Sequence, residues 1–138
     1  MEIHNERVLE TVRRKLDQLK IDLSNSPWNI YAAIITCHKR TSEYELIALG
    51  SGIKCLPDEI ISGCPDGLLH DSHAEVICRR SFMSFIYKQL LNLKNESCLN
   101  NEYLLFNEEL NKHYWNPDLE LLFYTSQSPC KKMWFIYD

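Results

Sequence analysis

A chain of 138 residues is one domain's worth of sequence. With 45% hydrophobic and 25% charged residues it has the make-up of a folded globular protein, which excludes collagen-like, disordered and low-complexity classes. The net charge of −4 gives no support by itself to nucleic-acid binding.

The chain opens Met-Glu-Ile-His-Asn-Glu-Arg, without the basic start, apolar run and small-residue cleavage site of a secretion signal. No apolar stretch approaches the ~18 residues of a membrane span, so no membrane partner is expected. An intracellular location, cytoplasmic or nuclear, follows as the expectation. In that reducing setting the six cysteines, at 37, 55, 64, 78, 98 and 130, read as free thiols or metal ligands. Residues 1–54 carry eight Lys/Arg and seven Asp/Glu, and residues 55–138 carry seven and twelve, so neither part is a basic arm.

Taken in chain order, Val8, Leu9, Val12, Leu16 and Leu19 recur at helical spacing and predict an amphipathic helix over 6–20. Its Arg7, Arg13, Arg14, Lys15 and Lys20 form either a solvated face or a surface for nucleic acid. Asn25-Ser26-Pro27 is a break. Ile30–Cys37 is an apolar, β-favouring run that predicts a buried strand, and Tyr44–Leu49 predicts a second strand in an antiparallel hairpin with it. Gly50-Ser51-Gly52 ends the hairpin, and glycines that close together suggest tight backbone approach. Residues 57–71 read as a long loop and Ser72–Leu93 as a long helix. Residues 94–117, with six Asn, read as a loop, and Leu119–Thr125 as a third strand. Pro129 suits the first turn of a further helix. The order helix, strand, strand, helix, strand is an α/β layout.

Two short motifs carry chemistry. Asp71-Ser72-His73-Ala74-Glu75 opens the long helix and contains H-x-E, while Pro129-Cys130 follows the third strand. These are two parts of the zinc deaminase signature H-x-E…P-C-x-x-C. An imidazole and thiolates hold Zn²⁺ tetrahedrally with one position left for water, and the metal acidifies that water. A carboxylate that does not bind the metal moves protons. His73 is then a ligand, Cys130 a thiolate ligand and Glu75 the proton shuttle. Plainer readings stand beside these: Ser72-x-x-Glu75 is also a capping box, His73 a surface residue at a helix start, and Cys130 a small buried apolar residue.

The flanking residues resemble the RNA adenosine deaminase family. The resemblance runs through Gly50-Ser51-Gly52-Ile53-Lys54-Cys55, then Asp71-Ser72-His73-Ala74-Glu75-Val76-Ile77-Cys78-Arg79-Arg80-Ser81-Phe82, then Tyr124-Thr125-Ser126-Gln127-Ser128-Pro129-Cys130. Pro27-Trp28 and Tyr31-Ala32-Ala33 look like the start of that domain. The short N-terminal region fits best the tRNA-specific branch, which converts adenosine to inosine, with tRNA as partner and no role for DNA. The resemblance implies the N-terminal part of a cytidine-deaminase-like layered α/β fold, a mixed sheet with helices packed on it. It implies Zn²⁺ held by His73 and Cys130, with Glu75 as the catalytic carboxylate. Gly50, Ser51, Gly52, Ile53 and Lys54 match the loop beside the flipped nucleotide. Asp71, Arg79 and Arg80 match residues around a buried inositol hexakisphosphate, although Arg79 and Arg80 alone would read as an exposed basic pair.

The chain also departs from that pattern. After Pro129-Cys130 it reads Lys-Lys-Met-Trp-Phe-Ile-Tyr-Asp, where the family continues with Gly-Asp-Ala-like residues. The family's second cysteine ligand lies well downstream and has no matching position. Ile53 stands where the family usually has a threonine. Residues 1–138 therefore read as a single, incomplete deaminase domain that is weakly active or inactive alone. A non-catalytic truncated RNA-binding form and a non-functional fragment are the alternatives. A cytidine deaminase would require P-C-x-x-C, which Cys130-Lys131-Lys132-Met133 does not supply.

Overall fold

The computed structural model describes residues 2–19, 30–55 and 71–127. Its elements are α1 (Glu2–Gln18), β1 (Tyr31–His38), β2 (Tyr44–Ser51), β3 (Ile53–Cys55), β4 (Asp71–His73), α2 (Ala74–Asn95), β5 (Leu104–Asn107), β6 (Lys112–Trp115) and β7 (Leu119–Thr125). A three-stranded sheet of order β2-β1-β7 lies at the centre, beside two short ladders, β3-β4 and β5-β6.

β1 is apolar from Ala32 to Ile35, without polar alternation, because both its faces are covered. Ala33 and Ile35 point to one side, where they form a core with Val8, Val12 and Leu16 of α1. Ala32 points to the other side, where it joins Ala48 of β2 with Ala74 and Cys78 of α2. A strand buried on both faces has no polar alternation, which is the pattern that Ile30–Cys37 shows. The α1 stripe works as its spacing predicts at Val8, Val12 and Leu16, all buried, whereas Leu19 is 52% exposed just beyond the helix end. Arg7 leaves the solvated face and ties α1 to the β1–β2 turn. Its Nη1 donates to the Ser42 carbonyl at 3.1 Å, and its guanidinium sits 5.9 Å from the centre of the Tyr44 ring.

The α/β layered class holds, with a helix on each face of the sheet. The mixed sheet does not appear among the described residues, where every pairing is antiparallel. The reason is connectivity: β1 and β2 form a hairpin, and β7 returns to β1's other edge, so β2 and β7 both run against it. A bulge at Ile34/Ile35 leaves Ile47 unpaired in that hairpin.

Several boundaries differ from expectation. The first helix, expected over 6–20, runs Glu2–Gln18, and the second strand continues past Leu49 to Ser51. The long helix begins at Ala74 rather than Ser72, because residues 71–73 are held as a strand against Ile53–Cys55. The polar stretch 94–117 holds the β5–β6 hairpin instead of a plain loop. Its asparagines build turns: Asn101 Oδ1 accepts the amides of Tyr103 and Leu104, and Asn107 Oδ1 that of Leu110. Phe85–Tyr103 and Phe82–Trp115 ring contacts then hold the hairpin on α2. The loop expected at 57–71 lies outside the described residues except for Asp71, which is in β4.

Candidate active site

The site grows from one end of the sheet. β2 and β7 both finish there, on either side of Tyr31: Tyr31 pairs with Ser51, and the Ser126 amide donates to the Tyr31 carbonyl at 2.9 Å. The Ser126 hydroxyl accepts the Tyr31 amide at 3.0 Å, which pins the chain as it leaves β7. On the β2 side, the Gly52 amide donates to the Ile30 carbonyl at 3.3 Å and the Ser51 hydroxyl donates to the same carbonyl at 3.0 Å.

α2 meets the sheet at this end through a seam of small residues. Ala32, Ala48, Ala74 and Cys78 are all buried, and Gly50 lies among them opposite Ala32. A Cβ on Gly50 would fall 2.3 Å from the Ala74 carbonyl oxygen and 2.4 Å from the Cys78 amide nitrogen. Gly52 has φ +155°, and a Cβ there would fall 2.0 Å from the Ser72 carbonyl oxygen. The tight approach expected of these glycines is thus made by the start of α2. The Gly52 carbonyl also accepts the Ala74 amide at 2.9 Å, satisfying one of the orphan donors of the helix start.

His73 occupies the N-cap position but its side chain does not cap the helix. The capping-box reading of Ser72 and Glu75 therefore fails: the cap is one residue later, and Glu75 sits in the first turn without the reciprocal spacing. The His73 ring is turned to Asp71 instead. Its Nδ1 lies 2.8 Å from Asp71 Oδ1, and the His73 amide donates to the same oxygen at 2.9 Å. One carboxylate so fixes both backbone and ring, and with the Nδ1 proton given to Asp71 the Nε2 lone pair is left for another partner. Burial pushes the Asp71 carboxyl up, but the His73 amide, the His73 ring and the Arg80 guanidinium outweigh it and hold the group below its ordinary value. Both side chains are about one-third exposed, so the pair faces an accessible space. Glu75 is half-buried in the first turn of α2.

The structure brings Asp71, His73 and Glu75 to one place, with Gly50 and Ser51 at the end of β2 beside them. Residues 53–55 run antiparallel to 71–73, with Ile53 opposite His73 and Lys54 opposite Ser72. Arg80 reaches back one helical turn further and donates to the Asp71 carbonyl at 3.0 Å, while Arg79 is exposed. Cys130 lies outside the described residues. Among the described residues no group of three or more His, Cys, Asp or Glu could hold a metal. The clamp between Tyr31 and Ser126 has no signal in periodicity or composition, and neither does the small-residue seam, because both depend on which strands become neighbours.

The family profile of the adenosine-deaminase (editase) domain matches residues 48–133. The chain is 35% identical over 104 residues to tRNA-specific adenosine deaminase 1 of Drosophila melanogaster, covering 75% of this chain and 24% of that protein. It is 29% identical over 123 residues to the Homo sapiens protein of the same name, with 77% and 23% covered. It is 34% identical over 91 residues to the double-stranded RNA-specific editase B2 of Mus musculus, with 60% and 11% covered. No solved structure matches the chain. The chain spans about a quarter of the length of the first of these relatives. With the matched region covering more than half of the chain and including Asp71, His73 and Glu75, the chain belongs to the adenosine-deaminase (editase) domain family.

Proposed function

We propose that this chain carries the first part of a zinc-dependent site that hydrolyses adenosine to inosine in RNA, with tRNA as the substrate, in the cytoplasm or nucleus. The observation that carries the reading is the Asp71–His73 pair at 2.8 Å beside Glu75. A carboxylate on Nδ1 with Nε2 left over is how proteins orient a zinc-binding histidine.

Topology supports Cys130 as a second ligand. β2 and β7 are separated by β1 alone, so they lie about 10 Å apart at the sheet end where His73 sits. Thr125 closes β7, and five residues of chain reach at most about 17 Å, so Cys130 can meet His73. An imidazole and a thiolate are the donor types zinc takes. Bound there, zinc would act as a Lewis acid that makes hydroxide available near neutral pH. Glu75 would take one proton of the attacking water and give it to the purine ring nitrogen N1, where inosine keeps it; it would then take the proton of the new C6 hydroxyl and give it to the amine, which would leave as ammonia as the C6 carbonyl forms. Asp71 would hold the His73 tautomer throughout. Residues 50–54 would border the base once it leaves its stack.

Inositol hexakisphosphate fits the described residues poorly. Arg79 and Arg80 are both exposed, and Arg80 is committed to the Asp71 carbonyl.

The test is zinc content and inosine formation in the purified chain. His73→Ala and Cys130→Ala are each expected to lower bound zinc. Glu75→Gln is expected to keep zinc while lowering inosine formation by about 10²–10⁴-fold. Zinc content indifferent to His73→Ala would refute the reading. Salt-sensitive tRNA binding without inosine would identify the non-catalytic form instead.

A further inference from the structure

The edge of β4 that faces away from β3 is closed by two side chains rather than by a strand. The Ala74 amide donates to the Gly52 carbonyl at 2.9 Å, and from there β3 and β4 run antiparallel, with Ile53 opposite His73, Lys54 opposite Ser72 and Cys55 opposite Asp71. In such a ladder the residues that turn their backbone groups to the partner strand alternate. The bond at Ala74 therefore turns Ser72 towards β3 and turns Asp71 and His73 away from it. The outward groups meet side chains: the His73 amide donates to Asp71 Oδ1 at 2.9 Å, and the Asp71 carbonyl accepts Arg80 Nη1 at 3.0 Å. Arg80 lies in the second turn of α2. Side chains of a helix lean towards its start, which brings the guanidinium back over the residues that precede α2.

We propose that Arg80 is a positioning residue for His73: by holding the Asp71 carbonyl it keeps β4 extended, and so keeps the Asp71 carboxylate on the His73 ring. The proposal rests on the deaminase reading in that this ring is the one taken there as a zinc ligand. The chain of contacts is short. Asp71 Oδ1 takes both the His73 amide and His73 Nδ1, at 2.9 and 2.8 Å, because residues 71–73 are extended. Arg80 fixes the peptide group that joins Asp71 to Ser72. Without that bond the peptide is free to rotate, and the carboxylate swings with it. The charge of Arg80 works to the same end. Burial raises the Asp71 carboxyl, while the His73 amide, the His73 ring and then the Arg80 guanidinium hold it low. A carboxylate on Nδ1 keeps the ring proton there and leaves the lone pair on Nε2. A neutral imidazole without such a partner favours the proton on Nε2, which would block that lone pair.

Nitrogen NMR of the full chain, free of metal and RNA and at alkaline pH, tests this through the two ring-nitrogen shifts of His73, identified by their loss in His73→Ala. In the parent Nδ1 should carry the proton. Arg80→Met keeps an aliphatic stem but removes donor and charge, and should shift the proton towards Nε2. Arg80→Lys restores a donor and the charge and should reverse that shift, since the bond to Asp71 is a single one and needs no guanidinium fork. Lys88→Met removes another exposed cation of α2 and should leave the His73 signals as in the parent. A parent ring protonated on Nε2 would overturn the proposal, as would Arg80→Met signals equal to the parent's or a shift that Arg80→Lys does not reverse. An unfolded Arg80→Met chain would overturn it too, because loss of the whole fold marks a residue that does more than set one ring. Zinc affinity, by chelator competition, should fall about tenfold in Arg80→Met. A tautomer shift with unchanged zinc affinity would uphold the positioning role and count against the deaminase reading, so the two failures are distinct.

Discussion

Gly50→Ala sets two opposite effects against each other. Glycine in a strand interior is entropically costly, so alanine would on that ground alone stabilise by about 0.5–1 kcal/mol. The structure argues the other way. The new Cβ would sit 2.3 Å from the Ala74 carbonyl oxygen and 2.4 Å from the Cys78 amide nitrogen, where ordinary contact begins near 3.4 Å. Both obstacles are backbone atoms and cannot rotate aside. The first turn of α2 would have to retreat by roughly 1 Å, opening the seam that buries Ala32, Ala48, Ala74 and Cys78. Overpacking of this kind costs about 1–3 kcal/mol, and here it involves backbone on both sides, so a net loss of about 2 kcal/mol is expected. Urea unfolding should show a lower midpoint with an unchanged slope. The same retreat displaces His73 and Glu75; if these carry the proposed deamination, about 1 Å at the reacting centre costs on the order of 10²-fold in rate. A Gly50→Ala chain as stable as the parent would refute the account of the seam.

Asp71→Asn should weaken zinc binding about 10–100-fold, measured by chelator competition, because the amide holds the His73 ring less firmly and lowers its basicity; unchanged affinity would remove Asp71 from the site. Cys98 is exposed, whereas Cys78 is fully buried and burial pushes its thiol from 9.0 up to about 11. Alkylation of the native chain followed by peptide mapping should therefore label Cys98 and spare Cys78. The same raised value stabilises the fold below pH 9 and loses that contribution as pH rises towards 11, so thermal midpoints should fall across that window. Ile35→Ala, at a fully buried position on β1, should cost about 2–5 kcal/mol in denaturant unfolding. Tyr103→Phe removes a 2.9 Å hydrogen bond to the exposed Glu45 carboxylate and should cost less than about 1 kcal/mol by the same measurement.

What could be read in advance was what short-range patterns encode. Val8, Val12 and Leu16 mark the buried stripe of α1 through their spacing alone, and the unbroken apolar run of β1 announces a strand covered on both sides. The H-x-E motif singled out His73 and Glu75 by residue type and separation, and the structure places them at the start of α2. The β5–β6 hairpin was hidden by composition. Its asparagines suggest a loop, but they form turns around two strands whose Tyr103 and Trp115 find partners on α2. The start of α2 was misplaced for a related reason. Ser72 and Glu75 carry a capping pattern, yet pairing of 71–73 with 53–55 overrides it, and no local signal reports that pairing. The identity of the His73 partner was likewise not local: Asp71 is two residues away in sequence, but the contact depends on the extended backbone that β4 imposes.

The placement of β7 has a consequence for how the chain folds. β1 is held on one side by its immediate neighbour β2 and on the other by β7, with Ala32 opposite Thr125. During synthesis the hairpin and both helices leave the ribosome before β7 does. For that interval β1 has one finished edge and one open edge, and the open one is among the most apolar stretches of the chain. Closing it means joining segments as far apart in sequence as Ala32 and Thr125, a slow step that high contact order imposes. The nascent protein is thus most prone to mispairing with other chains just before its last described strand arrives, and holdase chaperones would protect it most in that interval.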